Sequence, residues 1–126
     1  MMIKKSWILI SVLFLLMAGC SSSTYKKITA QQGREMLQSD SSVILLDVRT
    51  VGENMEIRIP GSMLIPLDTL KAQAGTFLPD KNAKIIIYCR SGNRSKDAAD
   101  ILIGLGYMNI FDMGGIIDWP YETESE

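Results

Sequence analysis

The residues best suited to covalent chemistry lie in one short segment. It reads Tyr88-Cys89-Arg90-Ser91-Gly92-Asn93-Arg94-Ser95. An apolar stretch ends at Tyr88 and a helical pattern begins near Ser95, so Cys89 is expected at the carboxyl end of a buried strand, where open α/β sheets bind ligands. Gly92 lets the chain curl so that several backbone N–H groups converge on one anion. We predict that this anion is the Cys89 thiolate, or the sulfur that it carries.

Two arginines add positive charge to the same segment. Arg90 and Arg94 lie on either side of Gly92, and a guanidinium group favours a thiolate and also binds an oxyanion. The N-terminus of the following helix acts in the same direction. A cysteine packed as a small hydrophobic residue is the common alternative, but a basic, glycine-containing loop around Cys89 is not typical of it. The candidate substrate-binding residues are Arg90, Ser91, Gly92, Asn93, Arg94 and Ser95.

The composition excludes several other kinds of chemistry. The chain has 126 residues and no histidine, which rules out a Cys-His or Ser-His pair and any histidine-based metal site. We predict neither a metal nor a cofactor. Lys and Arg total 13 against 14 Asp and Glu, and no basic stripe indicates nucleic-acid binding. The 2 cysteines form no Cys-x-x-Cys motif, which disfavours a disulfide oxidoreductase.

The N-terminal residues are typical of an export signal. Lys4 and Lys5 precede an apolar run over residues 7–17, and Ala18-Gly19-Cys20 follows. The run is shorter than the ~20 residues of a membrane-spanning helix and has the length of a signal peptide's hydrophobic region. The pattern that ends at Cys20 resembles the lipobox of bacterial lipoproteins, with Met17 at a position where that family usually has leucine.

The lipobox resemblance implies that residues 1–19 are removed and that lipid on Cys20 holds the protein at a membrane. Residues 20–27 would then be the lipidated cysteine and a flexible tether. An ordinary signal peptide or an uncleaved anchor is the alternative. Ser21 stands where an inner-membrane retention signal has aspartate. We therefore expect an exported lipoprotein of the outer membrane that faces the periplasm of a Gram-negative bacterium.

The elements that must position the cysteine loop alternate between strand and helix patterns. Val43–Val48, which is apolar except for Asp47, and Ile85–Tyr88 are runs typical of strands buried on both faces of a parallel sheet. Residues 98–105 carry one apolar stripe, which predicts a helix that ends before Gly106. This alternation predicts an α/β fold with a central, mainly parallel sheet of about five strands flanked by helices. The shorter predicted elements are a helix from a capping box at Thr29 and Gln32 to about Gln38, a helix from Asp68 to Ala72, and strands at Tyr25–Ile28, Met63–Ile65 and Asn109–Phe111.

Four motifs, in the same order, resemble those of the rhodanese-domain sulfurtransferases. The cysteine loop is similar to the active-site loop of that family, Cys-Arg-x-Gly-x-Arg-Ser. The other three motifs are Leu46-Asp47-Val48-Arg49 followed by Glu53, Ile59-Pro60-Gly61-Ser62 leading to Ile65-Pro66, and Gly114-Gly115 leading to Trp119. The chain has Asn54 and Ile57-Arg58 where the family often has an aromatic residue and Gly-His, so the rim of its pocket is expected to differ.

The resemblance implies a rhodanese-like domain over residues 28–121 and a sulfurtransferase activity. Cys89 would take a sulfane sulfur from a small anionic donor such as thiosulfate and pass it, through a persulfide, to cyanide or a thiol. We expect Asp47 to orient Arg94 or Arg49 by a charge-assisted hydrogen bond, or else to cap a turn.

Outside the loop, the expected roles are structural. Trp119 is expected to pack rather than to contact substrate. Arg58 is expected to be either a solvated surface residue or an added positive charge for an anionic donor. Residues 122–126 form an acidic tail that we expect to fray, and we expect a monomer.

Two alternative functions stay open at this point. Rhodanese-like domains also serve as interaction modules, so a non-catalytic module at the membrane surface is one alternative. A cysteine phosphatase is the other, because it also uses a thiolate in an anion-binding loop. Phosphatase loops follow the pattern Cys-x5-Arg, whereas four residues separate Cys89 from Arg94. The shorter loop suits a single sulfur better than a phosphoryl group.

Overall fold

The computed structural model describes residues 24–126. The predicted signal peptide and Cys20 lie outside the described residues. The strands are β1 (Lys26–Lys27), β2 (Ile44–Asp47), β3 (Met63–Leu64), β4 (Lys84–Cys89) and β5 (Asn109–Gly115). The helices are α1 (Ala30–Ser39), α2 (Val51–Glu56), α3 (Leu67–Phe77) and α4 (Asn93–Gly104), with a 3₁₀ turn at Ile116–Asp118. Over residues 24–126, no helix combines the length and apolar character needed to cross a bilayer.

The five strands form one sheet in the order β1-β5-β4-β2-β3, and every pair is parallel. Parallel neighbours need crossover connections, and here these are helices that cover the two faces of the sheet. β4 lies at the centre, and all of its residues except the first are buried. The predicted α/β fold with a central sheet of about five strands is confirmed.

Each face of the sheet has its own hydrophobic core, because side chains of a strand alternate between the faces. Ile85 and Ile87 pack with buried residues of α3 and α4 on one face. Ile86 and Tyr88 pack on the other face with residues of α1 and with Trp119. Trp119 packs against this second core, as predicted. The two cores together hold β4 from both sides.

The register brings the carboxyl ends of the three central strands to one edge of the sheet. Asp47 of β2 is aligned with Tyr88 of β4, and Cys89 is aligned with Gly115 of β5. The β4–β5 register shifts between Ile87 and Tyr88, because β5 carries one extra residue there. Gly114 adopts a φ of 81° at this bulge, a left-handed conformation that favours glycine.

Two helices begin with capping boxes of the same kind. The box predicted at Thr29 and Gln32 is confirmed at the start of α1. A second box, Thr50 with Glu53, starts α2, a helix that the sequence interpretation missed. No residue of α2 is buried, so it has no apolar stripe. The spacing Thr-x-x-Glu was the signal that could have revealed it.

Three other elements are longer than the sequence predicted. α3 continues to Phe77 rather than ending at Ala72, because Ala74 also faces the core. α4 begins at Asn93, two residues before Ser95. β5 continues from Phe111 to Gly115 because its last residues pair with the end of β4.

The last residues, 119–126, form a C-terminal strap that crosses to the segment after α2. Glu124 and Arg58 exchange two backbone hydrogen bonds, each 2.9 Å long. The Arg58 guanidinium lies 3.0 Å from Glu124 Oε1 and 3.4 Å from Glu126 Oε1. The Glu126 amide donates to the carbonyl of Met55 at 3.1 Å. The expectation of a frayed tail is therefore wrong, and Arg58 is the anchor of the strap rather than a solvated side chain.

Candidate active site

Cys89 ends the central strand and lies against the first turn of α4. The backbone N–H of Gly92 donates to Cys89 Sγ at 3.0 Å. Gly92 is the N-cap of α4 and has a φ of 107°, a conformation that a residue with a Cβ rarely adopts. This conformation turns the amide back towards the sulfur three residues earlier. The structure thus places one amide of the predicted anion-binding loop on the sulfur.

The sulfur lies at the boundary between the core and the loop. Cys89 is 1% exposed and packs with the core on the α3 and α4 side of the sheet. The first backbone amides of an α-helix have no partner within the helix, and those of α4 directly follow Gly92. An anionic sulfur that extended from Cys89 towards α4 would therefore meet N–H groups.

Gly115 allows β5 to approach the back of the cysteine loop. A Cβ at this position would collide with the carbonyl of Arg90 and would lie 2.7 Å from Ser91 Cα. Ile117, two residues further on, donates its N–H to the Arg90 carbonyl at 3.3 Å. The end of β5 and the residues after it thereby support the cysteine loop, and this close packing requires glycine at position 115.

Arg94 has a carboxylate partner, Glu53. Arg94 donates two hydrogen bonds to Glu53, of 2.6 Å and 2.9 Å. These bonds are the main reason why the pKa of Arg94 lies above its usual value, with a smaller contribution from the charge of Cys89. The same bonds lower the pKa of Glu53 to about 2. The positive charge of Arg94 is therefore balanced by the carboxylate of Glu53, and this ion pair connects the first turn of α4 to α2.

Asp47 and Arg49 form a buried ion pair behind the loop. Arg49 donates to the two oxygens of Asp47 at 3.0 Å and 2.8 Å, and its backbone N–H donates at 2.9 Å. Burial works to lower the pKa of Arg49, but the hydrogen bonds and charge of Asp47 outweigh it and hold this pKa above its usual value. Of the two arginines considered for Asp47, the structure selects Arg49; Arg94 pairs with Glu53 instead. Asp47 also caps its own turn.

The Asp47 carboxylate extends this pair into a network that reaches Tyr88. Asp47 Oδ2 accepts a hydrogen bond from Asn54 at 3.0 Å and lies 3.1 Å from the Tyr88 hydroxyl. That hydroxyl is 3.1 Å from Ser62 Oγ and accepts from the Ile59 amide at 3.2 Å. Burial is the main reason why the pKa of Tyr88 is raised, so the phenol stays a donor. Asn54, a departure from the family pattern, supports the residue before the cysteine.

The other predicted loop residues take different positions. Arg90, Ser91 and Asn93 are exposed at the protein surface. Ser95 is buried, and its hydroxyl donates to the Gly92 carbonyl at 3.2 Å. Arg90, Ser91 and Asn93 are thus accessible to a substrate, whereas Ser95 supports the conformation of the loop.

A pocket of about 510 Å³ opens beside the loop, and we call it the strap pocket. Arg90 and Ile117 line it on the loop side, Ile57 lines it on the α2 side, and Trp119 and Tyr121 of the strap complete it. Cys89 is not among its lining residues, so the pocket flanks the sulfur rather than containing it. In the described part of the chain, no three histidine, cysteine, aspartate or glutamate residues are grouped so as to hold a metal ion.

Fold and site together define a parallel α/β protein with a cysteine loop that can hold an anionic sulfur. The family model described as "Rhodanese-like domain" matches residues 29–120 of the chain. The protein therefore belongs to the rhodanese-like domain family, as the four motifs implied.

Known relatives point to the same family. The chain is 34% identical over 73 residues to the thiosulfate sulfurtransferase PspE of Escherichia coli, covering 58% of this chain and 70% of that protein. It is 31% identical over 94 residues to a sulfurtransferase of Allochromatium vinosum, covering 74% and 86%. Among solved structures, a rhodanese-like domain protein from Staphylococcus aureus matches with a TM-score of 0.70 and 31% identity, covering 80% of this chain and 98% of that one. These relatives support sulfur transfer in general.

Proposed function

We propose that this protein is a thiosulfate-type sulfurtransferase in which Cys89 carries the transferred sulfur as a persulfide. The observation that carries the proposal is the position of the Gly92 amide, which lies 3.0 Å from Cys89 Sγ at the N-terminus of α4. An amide in this position stabilises a negative sulfur before and after transfer. A relative named as a thiosulfate sulfurtransferase supports thiosulfate as the donor.

In the first step, the Cys89 thiolate attacks the outer sulfur of thiosulfate. A bond forms between Cys89 Sγ and that sulfur, the sulfur–sulfur bond of thiosulfate breaks, and sulfite leaves with the electron pair. Cys89 then carries a persulfide, and no oxidant or reductant is needed. The exposed Arg90 is suited to guide the donor's oxyanion, because its guanidinium can donate paired hydrogen bonds to oxygen.

In the second step, an acceptor thiolate, or cyanide in an assay, attacks the outer sulfur of the persulfide. The bond between the two sulfurs on Cys89 breaks, and its electron pair restores the Cys89 thiolate. The product is an organic persulfide or thiocyanate. Cys89 is the nucleophile in the first step and the leaving group in the second, so stabilisation of its anion by Gly92 and the first turn of α4 serves both.

A non-catalytic interaction module is the second candidate function. The observation that favours it is the near-complete burial of Cys89, which is 1% exposed. A sulfur covered to this extent must be reached through the loop at residues 90–94. A module without catalysis would leave Cys89 unmodified in the presence of a donor.

The mass of the purified chain after incubation with thiosulfate separates the two functions. The sulfurtransferase proposal expects the gain of one sulfur atom, its loss on adding cyanide, and no gain in Cys89→Ser. Cys20→Ser is the matched control, because it removes the other cysteine of the chain and should keep the gain. An unchanged mass in the unsubstituted protein would reject the proposal in favour of the interaction module. Faster hydrolysis of an aryl phosphate than sulfur transfer from thiosulfate would instead favour a phosphatase.

We further propose that the protein is exported and anchored by lipid on Cys20, at an outer membrane and facing the periplasm. The support is the lipobox-like sequence up to Cys20 and the serine that follows it. Labelling cells with a radioactive fatty acid should mark the chain but not Cys20→Ser, and the label should sediment with outer membranes. Label in neither chain would contradict lipidation, and label in the inner-membrane fraction would contradict the outer-membrane assignment.

A further inference from the structure

We propose that the C-terminal strap is the specificity-determining wall of the strap pocket, and that this pocket holds the body of an organic thiol acceptor. The acceptor class is a thiol that carries an apolar or aromatic body and a carboxylate. This inference rests on the proposed function and adds to it the kind of molecule that removes the sulfur from Cys89.

The size and surface of the pocket fit such a molecule. Its volume of about 510 Å³ lies within the range of ~300–1,000 Å³ typical of small-molecule sites. Thiosulfate and cyanide are far smaller and need no such space. Ile57 and Ile117, on opposite sides of the pocket, are 43% and 65% exposed. A ligand with an apolar body would remove these two side chains from water, which an inorganic anion would not do.

The charges of the pocket indicate where the carboxylate lies. Arg49 and Glu53 line the pocket but are already paired, with Asp47 and Arg94 respectively. Glu56, at the end of α2, also lines the pocket and would repel a carboxylate from that side. No residue between 24 and 126 forms a hydrogen bond or an ion pair with the Arg90 guanidinium. Arg90 also follows Cys89 directly in the chain. An acceptor whose carboxylate lies close to its thiol would therefore have both groups on the loop side of the pocket when Arg90 binds the carboxylate.

The strap is held at the edge of the pocket by a few side-chain contacts, each of which a single substitution can remove. Trp119 and Tyr121 pack edge to face with ring centroids 4.9 Å apart, and Arg34 lies 4.1 Å from the centre of the Tyr121 ring. Arg58 holds the far end of the strap through Glu124. Partly exposed ion pairs of this kind contribute little to stability. Releasing the strap should therefore change the pocket while the domain stays folded.

The test compares two acceptors in each variant after Cys89 has been loaded from thiosulfate. The large acceptor is 2-mercaptobenzoate, whose thiol and carboxylate are neighbours on the ring, and the small one is cyanide, which is too small to fill the pocket. In a chain that lacks residues 122–126, we expect kcat/KM for the large acceptor to fall about tenfold relative to cyanide. Arg58→Gln keeps the backbone hydrogen bonds to Glu124, so we expect a smaller fall in the same direction. Lys84→Gln is the matched control, because it removes another exposed ion pair, with Asp40 at 3.7 Å. This control should leave the ratio unchanged.

A binding measurement separates a failure of the pocket from a failure of the proposed function. Calorimetric titration of each variant, the truncated chain included, with the S-methyl derivative of the large acceptor needs no turnover. We expect binding to weaken about tenfold in the truncated chain and in Arg90→Gln. Equal affinities in all variants, or equal losses for both acceptors, would overturn the role of the strap. Binding that depends on the strap in a protein that forms no persulfide would reject sulfur transfer but keep the pocket.

Discussion

Arg49 and Arg58 each bind a carboxylate, at 2.8 Å and 3.0 Å respectively, but in opposite surroundings. The side chains of Arg49 and Asp47 are 2% and 0% exposed, whereas those of Arg58 and Glu124 are 16% and 46% exposed. A buried charge that loses its partner is costly, and an exposed one is rehydrated. The Asp47–Arg49 network near Cys89 is thus held in place by burial, whereas loss of the strap's ion pair should cost little stability. The region of the nucleophile and the region of the pocket wall should therefore tolerate mutation very differently.

Removing the carboxylate of the buried pair should have the largest effect. Asp47→Ala leaves Arg49 buried without its partner, and we expect a loss of ~3–5 kcal/mol in the free energy of unfolding. Urea denaturation followed by circular dichroism measures it. The double variant Asp47→Leu with Arg49→Met removes both charges and should recover much of the loss. A loss below ~1 kcal/mol in the single variant, typical of an exposed pair, would break the comparison.

The close contact behind the cysteine loop should be the next most sensitive. Gly115→Ala puts a methyl group against the Arg90 carbonyl, and we expect a loss of ~1–3 kcal/mol from overpacking, with slower sulfur transfer. Gly75→Ala in α3 is the matched control, because the added Cβ has no atom within 4 Å apart from its chain neighbours and the backbone of its own helix. The free energy of unfolding of Gly75→Ala should rise by up to ~1 kcal/mol, because alanine has a higher helix propensity than glycine. Equal stabilities of the two variants in urea would show that β5 does not constrain the loop.

The Glu53–Arg94 pair, which is partly exposed, should have an intermediate effect that depends on pH. The pKa of Glu53 is about 2 against an ordinary value of 4.5, so its contribution is complete above pH 4.5 and is lost as the pH falls towards 2. We expect it to amount to ~1–2 kcal/mol, because solvent screens a pair of which a quarter to a third is exposed. Urea midpoints measured between these pH values should fall less in Glu53→Gln. An identical pH dependence in both proteins would contradict this assignment.

Loss of the strap's ion pair should have the smallest effect on stability. Arg58→Gln removes the ion pairs with Glu124 and Glu126 but keeps the backbone hydrogen bonds to Glu124. We expect a loss of at most ~1 kcal/mol in the free energy of unfolding, and a smaller one in high salt. Thermal unfolding at low and high ionic strength measures it. A loss as large as that of Asp47→Ala would mean that the strap is part of the folded core.

Much of the fold and the position of the nucleophile could be predicted from local patterns. The apolar run before Cys89 predicted a buried strand, and the glycine after Cys89 predicted a turn into a helix. The capping box at Thr29 was confirmed as well. By contrast, α2 was missed because it buries nothing and so has no hydrophobic periodicity.

The sequence by itself determined that a cysteine ends a buried parallel strand and meets a glycine turn, because strand burial and turn conformation are encoded by neighbouring residues. The partners of the arginines were decided only by the tertiary structure. Arg94 and Glu53 are 41 positions apart, and Arg58 and Glu124 are 66 apart. The residues around an arginine in the sequence do not show whether its side chain is solvated or paired. These pairs form only because the tertiary fold brings distant segments together. The strap pocket arises in the same way, from segments that meet only when the sheet is complete.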